Sequence, residues 1–450
     1  MPAAATTEVL SPGDAGYDDA RRVWNGAIDR RPALIVRPRD AHDVSWAVRY
    51  ARVHELEISV KGGGHSPAGH SVTDGGLMID FSAMRNVAVE PLARRARVDP
   101  GVLLGELDRA TQEHGLAVPA GTVSHTGVAG LTLGGGIGWL MRKHGLTIDN
   151  LLEVELVTAE GDIVRASADE EPDLYWGMRG AGSNFGVVTS FEFRLHPVGP
   201  LVAGGPRLYP LEHAVDVLAR LRSVQDDLHP ELGLSAVLMT VPPDPHFPAE
   251  LQGRRMLAIA PVWAGALGEA ERAVAPLAEL GEPALDGFGP IPWVALQSML
   301  DATAPHGLQH RNFAQHLDSL GAEAVEALVE RFERVTHPMA HVVLTLLGGA
   351  VDDVSSEATA FPHRDGAWVA WTIGMWGPEE DGERHVEWLA SVRKALAPHA
   401  AGGVYVNALG AEPGDRVQAA YGANWDRLVG LKRTWDPENV FRLNANIDPS

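Results

Sequence analysis

Apolar positions in the first part of the chain come in short blocks, and glycine interrupts most of them. Ala33-Leu34-Ile35-Val36 predicts a buried strand that stops at Arg37-Pro38. Asp40 can then cap a helix over 41–54, where Val44, Ala47, Val48 and Ala51 recur at the spacing of one helical face. Ile58-Ser59-Val60 predicts the next strand, and it runs directly into Lys61-Gly62-Gly63-Gly64-His65-Ser66. The unit is strand, helix, strand, glycine turn. Further strands are expected over 77–81, 96–98, 154–157 and 187–195, and helices over 103–114 and 173–178.

The pattern changes after Pro197–Pro206, a stretch rich in proline and glycine that marks a boundary. Leu211, Val215, Leu218, Leu221 and Leu228 share a helical face. Strands are expected over 234–241 and 256–262, followed by a helix over 267–280. A similar order recurs: helix 322–335, strands 341–348 and 367–375, helix 383–396, strand 403–408. Helices alternating with pairs of strands predict an α+β fold, an antiparallel sheet backed by helices.

Composition removes several classes of chemistry. The 450 residues include no cysteine, so disulfides, thiolate metal sites and cysteine nucleophiles are excluded. Lys+Arg 37 against Asp+Glu 59 leaves a net charge of −22, which repels nucleic acid and anionic lipid. No run of apolar residues is long enough to span a bilayer, and the N-terminal stretch lacks the pattern of a secretory signal. The expected location is cytoplasmic, with no nucleic-acid or membrane partner.

Nucleotide motifs narrow the field further. No lysine follows a glycine, which excludes a Walker A loop. Gly134-Gly135-Gly136-Ile137-Gly138 and Gly180-Ala181-Gly182 both miss the dinucleotide fingerprint GxGxxG. His65 and His70 stand five apart on a glycine turn, a poor metal geometry, and no metal is expected. Glycine runs over 61–66 and 121–138 suit a different role, because consecutive backbone N–H groups can cradle a pyrophosphate.

The segment VKGGGHSPAGHSVTDGGLMIDFSAM resembles the flavin-attachment segment of the berberine bridge enzyme-like FAD-linked oxidases. The likeness continues through PAGTVSHTGVAGLTLGGGIGWLMRKHGLTIDNLLEVELVTAEGDIV, RGAGSNFGVVTSFEFRLHP and the closing YGANWDRLVGLKRTWDPENVFRLNANI. It implies a two-subdomain, PCMH-type FAD-binding domain over residues 1–198, a substrate-binding domain over 199–405, and a return to the first domain over 406–450. It implies an oxidase acting with O2 on a small-molecule substrate, as monomer or homodimer. His65 matches the histidine that carries FAD covalently, with Lys61 in place of the usual arginine. Cofactor contacts are implied for Gly62, Gly63, Gly64, Ser66 and Gly69 in the first turn. In the second they are implied for Gly121, Thr122, Val123, Thr126, Gly127, Gly130, Gly134, Gly135 and Gly138. Asn184, Val187, Val188, Tyr405, Asn407 and Asn444 complete the set.

The chain departs from the family in two places. Val123 occupies the position of a second, cysteinyl flavin link, so a monocovalent flavin through His65 is expected. The strand after Phe361-Pro362-His363-Arg364 lacks the family's carboxylate base. Tyr405 is either the substitute base, provided a polar or cationic neighbour lowers its pKa, with Asn407 facing the flavin, or a buried tyrosine satisfied by hydrogen bonding. Thr126 is either a hydroxyl that directs oxygen chemistry or a buried threonine bonded to backbone. Trp368, Trp371 and Trp376 are either a platform for a substrate ring or core.

Overall fold

The computed structural model describes residues 7–365, 367–410 and 414–450, so the first six residues of the N-terminal stretch lie outside it. Asp40 accepts hydrogen bonds from the backbone N–H groups of His42 and Asp43, and the helix Ala41–Val53 follows. Its Val44, Ala47, Val48 and Ala51 pack with Val36, Ile58, Leu77 and Ile79. Those strand residues belong to a four-stranded sheet ordered Glu8–Leu10, Leu34–Arg37, Leu77–Asp80, Ile58–Lys61. Leu77–Asp80 runs parallel to both of its neighbours.

A second, antiparallel sheet has five strands: Val87–Glu90, Arg95–Val98, Val187–Arg194, Leu151–Val157 and Ile163–Ser167. The C-terminal helix Trp425–Trp435 joins the core beneath it, with Leu428, Leu431 and Ile447 in the same apolar cluster as Leu156 and Phe191. Lys432 fixes that return. Its buried ammonium donates to Asp436 at 2.7 Å and to the carbonyls of Asn184 and Phe441 at 2.8 and 2.9 Å.

The third sheet has nine strands. Its spine is ordered Leu285–Asp286, Arg207–Pro210, Arg255–Trp263, Gly233–Thr240, His341–Leu346, Trp368–Trp376, Gln309–Leu317, with antiparallel neighbours throughout. Helices Ala214–Val224, Ala322–Phe332 and Glu383–Leu396 cover one face with a large apolar core. This is the α+β arrangement the sequence implies. Among the described residues, no helix is long and apolar enough to cross a membrane.

Several elements differ from expectation, three of them near the cavity or in its supporting domain. The helix expected over 267–280 is broken into Leu267–Glu269, Ala270–Ala273 and Ala275–Leu280, because Pro276 cannot donate a helical hydrogen bond. The strand expected over 403–408 is a short turn, Val406–Ala408. Its side chains serve the glycine loop instead: the Asn407 amide donates to the Leu131 carbonyl at 3.0 Å. The strand Gln309–Leu317 was hidden because His310, Asn312 and His316 put polar residues at its buried positions.

Candidate active site

The strand Ile58–Lys61 delivers the chain into Gly62-Gly63-Gly64-His65. Gly64 has φ +72°, a left-handed conformation that disfavours any side chain. A Cβ on Gly63 would lie 2.3 Å from the Gly127 nitrogen, so the two glycine loops meet backbone to backbone. Together they wall one side of a cavity of about 1050 Å³. Ordinary small-molecule sites span about 300–1,000 Å³, so this volume suits a cofactor and a substrate together.

Most of the expected cofactor contacts line this cavity. They include Gly62, Gly63, Gly64, His65, Ser66, Gly121, Thr122, Val123, Thr126 and Gly127. Gly130, Gly134, Gly138, Val187, Val188, Tyr405, Asn407 and Asn444 line it as well. Four do not. Lys61 turns away and donates to the Ala20 carbonyl at 2.6 Å. Gly69 closes a turn against the Ile28 side chain. Gly135 is packed under Phe361 and Tyr405. Asn184 is buried, and its side-chain oxygen accepts from the Ile447 N–H at 2.9 Å. These four brace the walls rather than form them.

His65 sits in a nest of rings. Its Nε2 shares a 2.8 Å hydrogen bond with Nδ1 of His125. Trp24 stacks on it at 4.8 Å, and His306 stands edge-on at 5.6 Å. Burial, reinforced by His125, His306 and His310, holds its pKa well below 6.5, so the imidazole is neutral at pH 7. Sequence spacing pointed to no metal cluster, yet the fold brings ring nitrogens of His65, His125 and His306 within 4.8 Å of one another. Of these residues, His125 was within reach of sequence reasoning, one position before Thr126. Trp24 and His306 carried no signal.

The residues present fit FAD. The strip is backbone with little side chain, and a Cβ on Gly130 would meet nothing within 4 Å. Asn444 lines the cavity with an unpartnered side-chain oxygen. His65 offers an uncharged ring nitrogen beside the strip.

The uncovered face of the large sheet closes the other side. Val237, Val343, Trp371, Ile373 and Met375 line it, with the polar residues Ser235, Thr345, His310, Asn312 and His341. The three tryptophans divide accordingly. Trp368 and Trp376 pack against the helices, while Trp371 lines the cavity. Three buried polar atoms on this wall have no partner: His310 Nδ1, Asn312 Oδ1 and Trp371 Nε1. Each would cost about 1–3 kcal/mol if left unsatisfied, a strong argument for a ligand there.

Tyr405 does not have the environment expected of a base. Burial raises its pKa above 10, against the weaker opposing pull of hydrogen bonds from Asn407 and the Gly136 and Ile137 backbone. Its oxygen accepts from the Gly136 N–H at 3.1 Å and the Asn407 amide at 3.0 Å. Two accepted bonds leave the phenol its O–H to donate. Two imidazoles are better proton acceptors. His310 Nε2 bonds the Pro305 carbonyl and His341 Nδ1 bonds the Met339 carbonyl, which leaves a lone pair on His310 Nδ1 and on His341 Nε2. Burial lowers the pKa of both, His310 to about 4.

Comparison with known proteins agrees with this geometry. A family model described as FAD binding domain matches residues 32–167, and one described as berberine and berberine like matches residues 404–448. A FAD-linked oxidoreductase of Dictyostelium discoideum is 32% identical, the alignment covering 98% of this chain and 94% of that protein. (R)-6-hydroxynicotine oxidase of Paenarthrobacter nicotinovorans is 31% identical, covering 100% and 98%. The crystal structure of 6-hydroxy-D-nicotine oxidase from Arthrobacter nicotinovorans superposes with a TM-score of 0.89 at 30% identity, covering 100% of this chain and 99% of that one. A xylooligosaccharide oxidase bound to xylobiose shares the fold, with a TM-score of 0.87 at 23% identity over 99% and 97% of the two chains.

Proposed function

The chain belongs to the berberine-like FAD-linked oxidoreductases, and from that premise we propose that it is an oxidase of a small organic substrate, holding FAD through one covalent bond at His65 and using O2 as electron acceptor. Residues 1–198 and 406–450 are assigned to cofactor binding, and 199–405 to the substrate. The observation that carries this reading is the single cavity with His65 and the glycine strip on one side and an open sheet face on the other.

FAD, when bound, supplies the hydride acceptor. The chain supplies everything else. Backbone N–H groups of the two glycine loops would hold the phosphates, apart from those of Ser124 and Thr126, which bond Asp301 and Val123, since no Lys or Arg lines the cavity among the described residues. His65 presents a neutral nitrogen for the tether, and its Nε2 shares a hydrogen bond with His125 Nδ1. Val123 offers no second link. Tyr405 donates a hydrogen bond, and Asn407 ties its oxygen to the glycine loop. Substrate O–H deprotonation falls to His310 or His341, whose lone pairs are free of protein partners.

Peroxide assays on the purified holoenzyme test the oxidase reading: a turned-over substrate should yield one H2O2 per O2 consumed. A second reading rests on Thr126, whose side chain is at the cavity wall while its backbone N–H and C=O bond Val123 and Leu104. A hydroxyl there suits an oxygenase. Label from 18O2 appearing in the product would favour that reading over simple oxidation.

A further inference from the structure

Register makes the substrate wall readable. Ala258, Val237, Val343 and Trp371 are paired in succession across four strands and line the cavity. At about 4.8 Å per strand they form an apolar stripe about 14 Å long. One register step away, Ile373 lies opposite both His341 and Asn312. So an apolar band runs beside a short polar edge. That edge is rich in acceptors: the Asn312 oxygen is unpartnered, and His341 keeps the Nε2 lone pair. Trp371 adds one unpartnered N–H.

Charge is missing from this wall. Among the described residues lining the cavity there is no Lys or Arg, and the one carboxylate is Asp244. Asp244 is on a loop and is already held by the backbone N–H and ring nitrogen of His246 at 2.8 and 2.6 Å. Burial keeps the cavity imidazoles neutral. An anionic substrate would lose its hydration here without finding an opposite charge, and a cationic one would find only the loop carboxylate of Asp244, outside the sheet. An oligosaccharide would leave most of its hydroxyls facing valine, isoleucine and methionine.

We infer that the substrate is an uncharged, flat and largely apolar ring compound that presents a hydroxyl group to Asn312 and His341. This inference rests on the oxidase reading above for its chemistry, but not for its binding. The apolar body lies along the Val237–Val343–Trp371 stripe, and the hydroxyl donates to the acceptor edge.

The test is an anaerobic titration of the holoenzyme, followed through the visible flavin spectrum. A shift of the spectrum reports binding, and loss of the yellow band reports reduction. The probes are 2-naphthalenemethanol, 2-methylnaphthalene, 2-naphthoate, xylobiose and protonated 6-hydroxynicotine. The alcohol should bind at least about tenfold more tightly than each of the others, the value of roughly one good hydrogen bond. In Asn312→Leu the preference for the alcohol over 2-methylnaphthalene should shrink severalfold. Tighter binding by xylobiose, naphthoate or the cationic amine overturns the inference, and so does the absence of any shift with the alcohol. The wild-type comparison stands even if the variant misfolds. Alcohol binding without bleaching supports the inference and counts against the oxidase reading. Bleaching by xylobiose does the reverse.

Discussion

Under the proposed function the chemistry turns on His65, and its neighbours decide what it can do. A neutral imidazole has one N–H and one lone pair. If Nε2–H donates to His125, the lone pair is fixed on Nδ1 and is free to form a covalent bond. Under the proposed tether His125 is a positioning residue, with the His306 ring 4.8 Å from its own. His125→Ala should lower the fraction of covalently bound flavin several-fold, read as flavin fluorescence on a denaturing gel, while His125→Gln, which still accepts a hydrogen bond, restores part of it. An unchanged fraction in His125→Ala would show that the contact is only packing. The glycine run alone leaves His65 between a structural and a chemical residue; the resemblance of the whole segment 60–84 singles it out. Tyr405 is open to two readings in the sequence, a base or a buried tyrosine satisfied by hydrogen bonds, and its burial and raised pKa favour the second. Residue-level reasoning passed over His310 and His341, whose role depends on strand pairing across long sequence separations.

At the scale of elements, local signals succeeded where local forces dominate. The helices Ala41–Val53 and Glu383–Leu396 were legible because a cap or a long amphipathic run defines them. The strand Gln309–Leu317 was not, because His310, Asn312 and His316 stand where a strand normally hides apolar residues. The segment 403–408 has strand-like residues, but Asn407 and Tyr405 are held by the glycine loop. The loop after Phe361 is anchored differently. Arg364 is buried and donates to both oxygens of Asp149 at 2.9 and 2.7 Å, tying the approach to the substrate sheet to the first half of the chain. Removing one partner of a buried pair typically costs about 3–5 kcal/mol. Arg364→Met should therefore lower the melting temperature clearly, by calorimetry. A double change, Arg364→Met with Asp149→Leu, should recover part of the loss because no lone buried charge remains.

For the molecule as a whole, buried histidines predict how stability depends on pH. His144 and His316 lie away from the cavity, and burial depresses both to about 3, with their neighbours His196 and His363 adding to the effect. Unfolded histidine titrates near 6.5. Between these values the unfolded chain binds more protons than the folded one, so stability rises with pH and is lost as pH falls below 6.5. The melting temperature should drop steadily from pH 7 to pH 4.5, before most carboxylates titrate. A flat profile over that range would mean these histidines are protonated in the folded protein. The net charge of −22 is legible from composition, but it describes the outer surface; the cavity is nearly uncharged, and only the fold reveals that.

The most direct measurement is the intact mass of the denatured protein. Wild-type protein should carry the added mass of one FAD, and a proteolytic peptide containing His65 should hold it. His65→Ala should lose the added mass and retain at most dissociable flavin. Covalent flavin persisting in His65→Ala, or a wild-type protein with no adduct when purified yellow, would contradict a tether at His65.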